Sequence, residues 1–184
     1  GNGTFDDMYV GDYWTINGTV YRIAHINYYR NSGDANVPPN HLTLVPDVAF
    51  YNHAMNDTNT TEGGWTGSKM YTDGLNVART KINTDFAGHV VTLRKYLCNA
   101  VTNGEASAAA WTDVDIDLMN EIMVYGTITC GRSVAGALNR NVGTEKSQLA
   151  LFQHQPDLIN KRSHSKWLKD IVSATYFAYV YGRG

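Results

Sequence analysis

Ser165-Lys166-Trp167-Leu168-Lys169-Asp170, followed by Ser173-Ala174-Thr175-Tyr176-Phe177-Ala178-Tyr179-Val180-Tyr181-Gly182, is the stretch that decides how this chain is read. Aromatic and small apolar residues fill its second half and predict a strand from Ala174 to Val180. Alternation places Ala174, Tyr176, Ala178 and Val180 on one face, and Thr175, Phe177, Tyr179 and Tyr181 on the other. Tyr offers a large, rigid, amphipathic contact at low entropic cost, so such a strand can present a binding face. The competing reading buries the rings and leaves their hydroxyls to local partners. Burial is the expectation for Tyr176 and Phe177, whereas Tyr181, Arg183 and His164 lie nearer the expected rim.

Upstream, Tyr9 to Ile16 and Thr19 to Asn27 flank Asn17-Gly18, a hairpin signal because a type I′ turn needs positive φ at both central positions. Val20, Ala24 and Ile26 share one face of the second run, with Tyr21, Ile23 and His25 on the other, as in a strand covered on both sides. His41 to Val45 predicts a further strand, stopped by Pro46. Residues 52 to 68 carry Asn, Asp, Thr and Gly in loop proportions. A helix is expected from Ser68 or Lys69, with Met70, Ala78 and Ile82 in register. The stripe Leu93, Leu97, Ala100 and Val101 predicts a second helix from Val91 to Val101, ended by Asn103-Gly104. Thr112-Asp113-Val114-Asp115 resembles a capping box, opening a helix that carries Ile116, Met119, Ile122 and Met123 and ends at Gly126. Residues 127 to 148 look loop-like, and Pro156 to Asn160 suit one helical turn. The whole, residues 1–184, is expected to be one α+β domain.

Composition narrows the function classes. Fifteen Lys and Arg against seventeen Asp and Glu give a net charge of -2, without the clustered basic face that nucleic acid demands. No apolar run approaches the roughly 18 residues of a membrane span. Cys98 and Cys130 are too far apart for a Cys-x-x-Cys metal site, and sequence does not decide whether they bond; a buried thiol is the favoured state of Cys98. Asp57 and Glu62 supply the only carboxylates in the 52–68 loop, without EF-hand spacing, so a structural loop is preferred there to a Ca²⁺ site. The six His are scattered, and no nucleophile elbow, P-loop or dinucleotide fingerprint occurs. Acids at 113, 115, 117 and 121 are what a helix N-terminus attracts for dipole reasons alone. Neither a catalytic group nor a metal or cofactor is called for.

Several blocks taken in order resemble one family. They are Phe5-Asp6-Asp7-Met8-Tyr9-Val10-Gly11-Asp12-Tyr13; Asn56 to Gly64 followed by Gly67-Ser68-Lys69-Met70-Tyr71; Leu118 to Gly126; Ser147 to Phe152; and Trp167-Leu168-Lys169-Asp170. Together they resemble the C-type-lectin-like domains on phage and prophage virion proteins of gut bacteria. The resemblance implies a small twisted antiparallel sheet, two to three helices and long loops. It implies display on a virion or bacterial cell surface, with a host-surface protein or glycan as ligand and other virion subunits as neighbours, in a homo-oligomer. Some members are targets of diversity-generating retroelements, which vary residues near the C-terminal end. Ser163, His164, Ser165, Tyr176, Tyr179, Tyr181 and Arg183 occupy that region here and are the implied ligand-binding residues. In the family the strand continues to a closing Gly-Val-Arg-Pro strand, which this sequence lacks. Thr175 to Tyr181 is therefore expected to form an apolar edge covered by a partner chain or by further residues. The implied function is non-enzymatic host attachment. The alternatives are a structural decoration domain of a capsid or tail, and an enzyme acting on cell-surface glycan.

Overall fold

The structure, a computed structural model, describes residues 5–33, 38–136, 139–160 and 166–181. Among these residues it is a mixed α+β arrangement of three small antiparallel sheets and a few short helices. The first sheet joins β1 (Tyr13–Ile16), β2 (Thr19–Ile26) and β3 (Leu42–Pro46), with β2 central. Asn17 and Gly18 adopt φ of 47° and 78° at the β1–β2 turn, as a type I′ turn requires. Tyr21, Ile23 and Ala24 are all buried, so β2 is covered on both faces as its sequence predicts. A π-helical turn, Met70–Gly74, runs into α1 (Leu75–Asp85), close to the expected helix start.

Residues 91 to 115 differ from expectation. In place of the helix expected from Val91 to Val101 the chain forms a long hairpin, β4 (Leu93–Thr102) and β5 (Glu105–Val114). Asn103-Gly104 is its turn, with φ of 53° and 78°, and not a helix end. The error has a geometric origin, since residues four apart share a face in a strand as well as in a helix. Thr112 to Asp115 thus close a strand, and the helix that follows, α2 (Glu121–Tyr125), starts later. Its N-cap is Asn120, whose side chain accepts from Met123 N at 2.8 Å, and Gly126 ends it in the left-handed conformation. Two more short helices follow, α3 (Ala150–His154) and α4 (Asp157–Asn160). The α3 start is docked on β2, where Ala150 N donates to His25 Nδ1.

The last hairpin pairs β6 (Lys166–Ile171) with β7 (Phe177–Val180). The closing strand is shorter than predicted, because Thr175 and Tyr176 belong to the turn. The expected apolar edge shrinks to four residues, and among the described residues no strand pairs with its outer side. This hairpin joins two separate cores. Leu168, Ala178 and Val180 pack with Ala24, Val45, Met123, Val124, Leu149, Leu151 and Phe152. Ile171 and Phe177 pack with Met55, Trp65, Met70, Leu75, Leu97, Cys98, Ala106 and Val114. The polar 52–68 segment is a structural loop: Thr61 donates from N and Oγ1 to the carbonyls of Ala174 and Ser173, pinning the β6–β7 turn. Its Asp57 carboxylate is engaged by Lys69. Cys98 is a buried free thiol, on a strand and not on the expected helix, while Cys130 is exposed.

Candidate functional site

The β6–β7 register sets Trp167 directly opposite Tyr179. Their rings meet edge to face with centroids 6.0 Å apart, and Tyr181 continues the row 6.1 Å from Tyr179. Trp167, Tyr179 and Tyr181 are 36%, 50% and 71% exposed. Trp167 Nε1 donates to His53 O at 3.0 Å, which orients the indole against the 52–68 loop. Between Trp167 and Ile171 the register shifts, four residues of β6 spanning what two cover on β7. A bulge of this kind re-aims side chains. It accompanies a change from an exposed Trp167–Tyr179 pair to a buried Ile171–Phe177 pair on adjoining lengths of one hairpin.

Of the sequence-derived site residues, Tyr179 and Tyr181 lie together on this row. Tyr176 stands in the turn, 57% exposed, so its expected burial is corrected; Phe177 is buried as expected. Alternation fails at Tyr176 because it precedes the strand, and its carbonyl accepts from Val172 N and Ser173 N to close the turn. Ser163, His164, Ser165 and Arg183 lie outside the described residues. Trp167 is not among the sequence-derived site residues; the β6–β7 register sets it beside Tyr179.

Further along β6, charged residues are buried. Lys169 Nζ lies 2.6 Å from Asp117 Oδ2 and 3.2 Å from Glu145 Oε2. Lys95 Nζ lies 2.7 Å from Glu145 Oε1 and 3.1 Å from Asp117 Oδ2. All four are buried, and their formal charges cancel. Trp65 Nε1 donates to Asp117 Oδ1, and Lys95 donates to the Tyr29 hydroxyl. Burial alone would push both carboxyls up, but Lys169 and Lys95 outweigh it and hold Asp117 and Glu145 below the usual carboxylate range. Burial opposes the Lys95 charge, yet Glu145, Tyr29 and Asp117 keep it well above the ordinary lysine value.

Asp170, the next residue, behaves in the opposite sense. Burial, with the nearby Glu121 carboxylate, pushes it up to about 8, despite a hydrogen bond from Glu121 N at 2.8 Å. Glu121 itself is buried and accepts the backbone N–H groups of Thr129, Cys130 and Gly131. These acids therefore hold the fold around the hairpin. The expected dipole role at a helix start does not apply to 113 and 115, which flank the end of a strand; Asp115 is paired with Arg79.

A cleft of about 1270 Å³ opens between the two cores, with Val45 and Met123 of one and Met70, Leu75 and Val114 of the other on its walls. Its lining is chiefly apolar, and its two walling carboxylates, Asp115 and Asp117, are engaged by Arg79 and by the two lysines. His53 and Trp167 stand at its border, next to the ring row. Among the described residues no His, Cys, Asp and Glu cluster is arranged to hold a metal ion. No helix among them is long and apolar enough to cross a membrane. Comparison with known proteins finds no matching family model, no matching curated protein and no matching solved structure.

Proposed function

We propose that the chain is a non-enzymatic ligand-binding domain of the C-type-lectin-like kind, displayed on a phage or prophage virion and engaging a host cell-surface protein or glycan. The observation that supports this reading is the row Trp167–Tyr179–Tyr181, three exposed rings on one hairpin with Tyr179 meeting both others. Exposed aromatics clustered this way are uncommon on surfaces that meet only water, and aromatic residues dominate binding hot spots. The hairpin beneath is anchored in both cores, so the rings are presented with little ordering left to do on binding. Tyr176 extends the presented aromatic surface toward the turn. Ser163, His164, Ser165 and Arg183, the other residues that the resemblance implies, lie outside the described residues.

The test is flow cytometry of the fluorescently labelled domain on a panel of intact gut bacterial strains, with arrayed bacterial polysaccharides alongside. Saturable binding to a subset of strains is expected. Tyr179→Ser with Tyr181→Ser should weaken it about thirtyfold or more, equivalent to roughly 2 kcal/mol for two central aromatic contacts. Unchanged binding by the double variant would refute the assigned face.

A structural decoration role has its own supporting observation. β1 is an edge strand that exposes Tyr13 and Trp14, with Tyr9 exposed just before it. A neighbouring virion subunit seated there would cover this second aromatic group, and self-association abolished by Tyr13→Ser with Trp14→Ser would favour that reading.

A further inference from the structure

Charges taken out of water lose their hydration, and two buried ammoniums facing two buried carboxylates concentrate that penalty at one point. Condensing one lysine with one carboxylate to a neutral amide would remove two of the four charges, and the geometry singles out one pair. Lys169 Nζ stands 2.6 Å from Asp117 Oδ2, which sets it within about 3.5 Å of the carboxyl carbon, a near-attack separation. The backbone holds this approach: Lys169 N donates to Met119 O at 3.0 Å, keeping β6 beside the segment that carries Asp117. The other Asp117 oxygen, Oδ1, accepts Trp65 Nε1–H at 2.9 Å, a donor aimed where negative charge develops when the carbon is attacked. Glu145 Oε2 lies 3.2 Å from the same lysine nitrogen, is buried, and accepts no hydrogen bond from any other described group. It is placed to take a proton from Nζ.

We propose that Lys169 and Asp117 join in a spontaneous intramolecular isopeptide bond, with Glu145 as proton carrier and Trp65 as the donor that stabilises the intermediate. The proton shared between Nζ and Oδ2 moves to Oδ2, leaving a neutral amine beside a neutral acid; a desolvated lysine in this form is a nucleophile. The amine lone pair attacks Cγ, and the C=O π electrons move onto Oδ1, where the Trp65 N–H meets them. Glu145 Oε2 takes a second proton from Nζ and returns it to Oδ2. The Cγ–Oδ2 bond breaks, Oδ2 leaves as water, and Nζ keeps its third hydrogen as the amide N–H. The step is a condensation, so no oxidant, reductant or external reagent enters it. Lys95 and Glu145 remain as one compensated pair, 2.7 Å apart. The bond would tie β6 to the segment after β5, residues 52 apart in sequence. It involves neither Trp167 nor Tyr179 nor Tyr181, so it and the ligand face can fail independently.

The experiment is intact mass spectrometry of the purified full chain under denaturing conditions, followed by peptide mapping. The unaltered protein should be lighter than its sequence by the mass of one water, and mapping should give a branched peptide joining Lys169 to Asp117. Lys169→Arg keeps the charge but removes the amine, and should show the full sequence mass. Glu145→Gln keeps the volume but removes the proton carrier, and should slow condensation at least about a hundredfold. Thermal unfolding checks that each variant folds, and the map of the unaltered protein decides the matter if neither does. A full sequence mass for the unaltered protein overturns the proposal. So does a lost water that maps to any other pair of residues, or one that persists in folded Lys169→Arg.

Discussion

Replacing Lys169 with Met keeps the length and apolar stem of the side chain while removing one of two buried ammoniums. The remaining Lys95 then faces Asp117 and Glu145 alone, and a net negative charge is left in a site where all partners are buried. The lost contacts, at 2.6 and 3.2 Å, carry roughly 6 and 5 kcal/mol of attraction at an effective dielectric of about 20, much of it offset by desolvation. The net cost of breaking such a group by one partner is about 3–5 kcal/mol, a large part of a domain stability of about 5–15 kcal/mol. Glu145→Gln should cost a similar amount by leaving an excess positive charge. The double variant restores neutrality around a Lys95–Asp117 pair, so its loss should fall short of the sum by about 2 kcal/mol. Urea unfolding at neutral pH reads this directly. With a slope of about 2 kcal/mol per molar, each single variant should lower the midpoint by about 2 M. Strict additivity, or single variants within about 0.5 kcal/mol of the parent, would refute the idea that the four charges act as one compensated group.

Asp170 holds a proton in the fold up to about pH 8, against an ordinary value of 3.8, so folding takes up a proton between these limits and its contribution to stability falls as pH rises through them. Asp170→Asn should therefore gain on the parent by about 1.4 kcal/mol per pH unit across that window, measured by urea midpoints; a pH-independent difference would contradict it. Phe177→Ala removes a buried ring from one core and should cost about 3–5 kcal/mol, seen as a drop in thermal midpoint, and a loss below about 1 kcal/mol would place the ring elsewhere. Burial pushes the Cys98 thiol up, while Cys130 is exposed. A thiol reagent should label one equivalent quickly and the second only on unfolding; two fast equivalents would be inconsistent with the fold.

Local signals were legible where the backbone chemistry was local. Asn17-Gly18 marked a turn because few other residues tolerate its φ values, and Gly126 ended a helix for the same reason. The same dipeptide at 103–104 carries the hairpin signal too, but the spacing of Leu93, Leu97, Ala100 and Val101 favoured helix. Tertiary pairing overrode that propensity. Lys95 and Lys169 were opaque for another reason. A charged residue in a strand implies solvent unless its partners are known, and Asp117 and Glu145 come from distant loops. Tyr179 and Tyr181 were named through the resemblance and the aromatic character of their strand, whereas Trp167 stands beside them only through the β6–β7 register.

The hairpin that enters both cores also dictates the order in which the molecule can be made. Its strands follow in sequence every other residue that they pack against, and Thr61 reaches its partners Ser173 and Ala174 across 112 residues or more. Closing so long a loop is entropically expensive before any contact rewards it, so assembly dominated by such pairings is slow. Until β6 and β7 insert, neither core is complete, and the nascent chain exposes two unfinished apolar surfaces at once. The same element that presents the rings is thus the last to lock, and the domain passes its most vulnerable moment during synthesis before that happens.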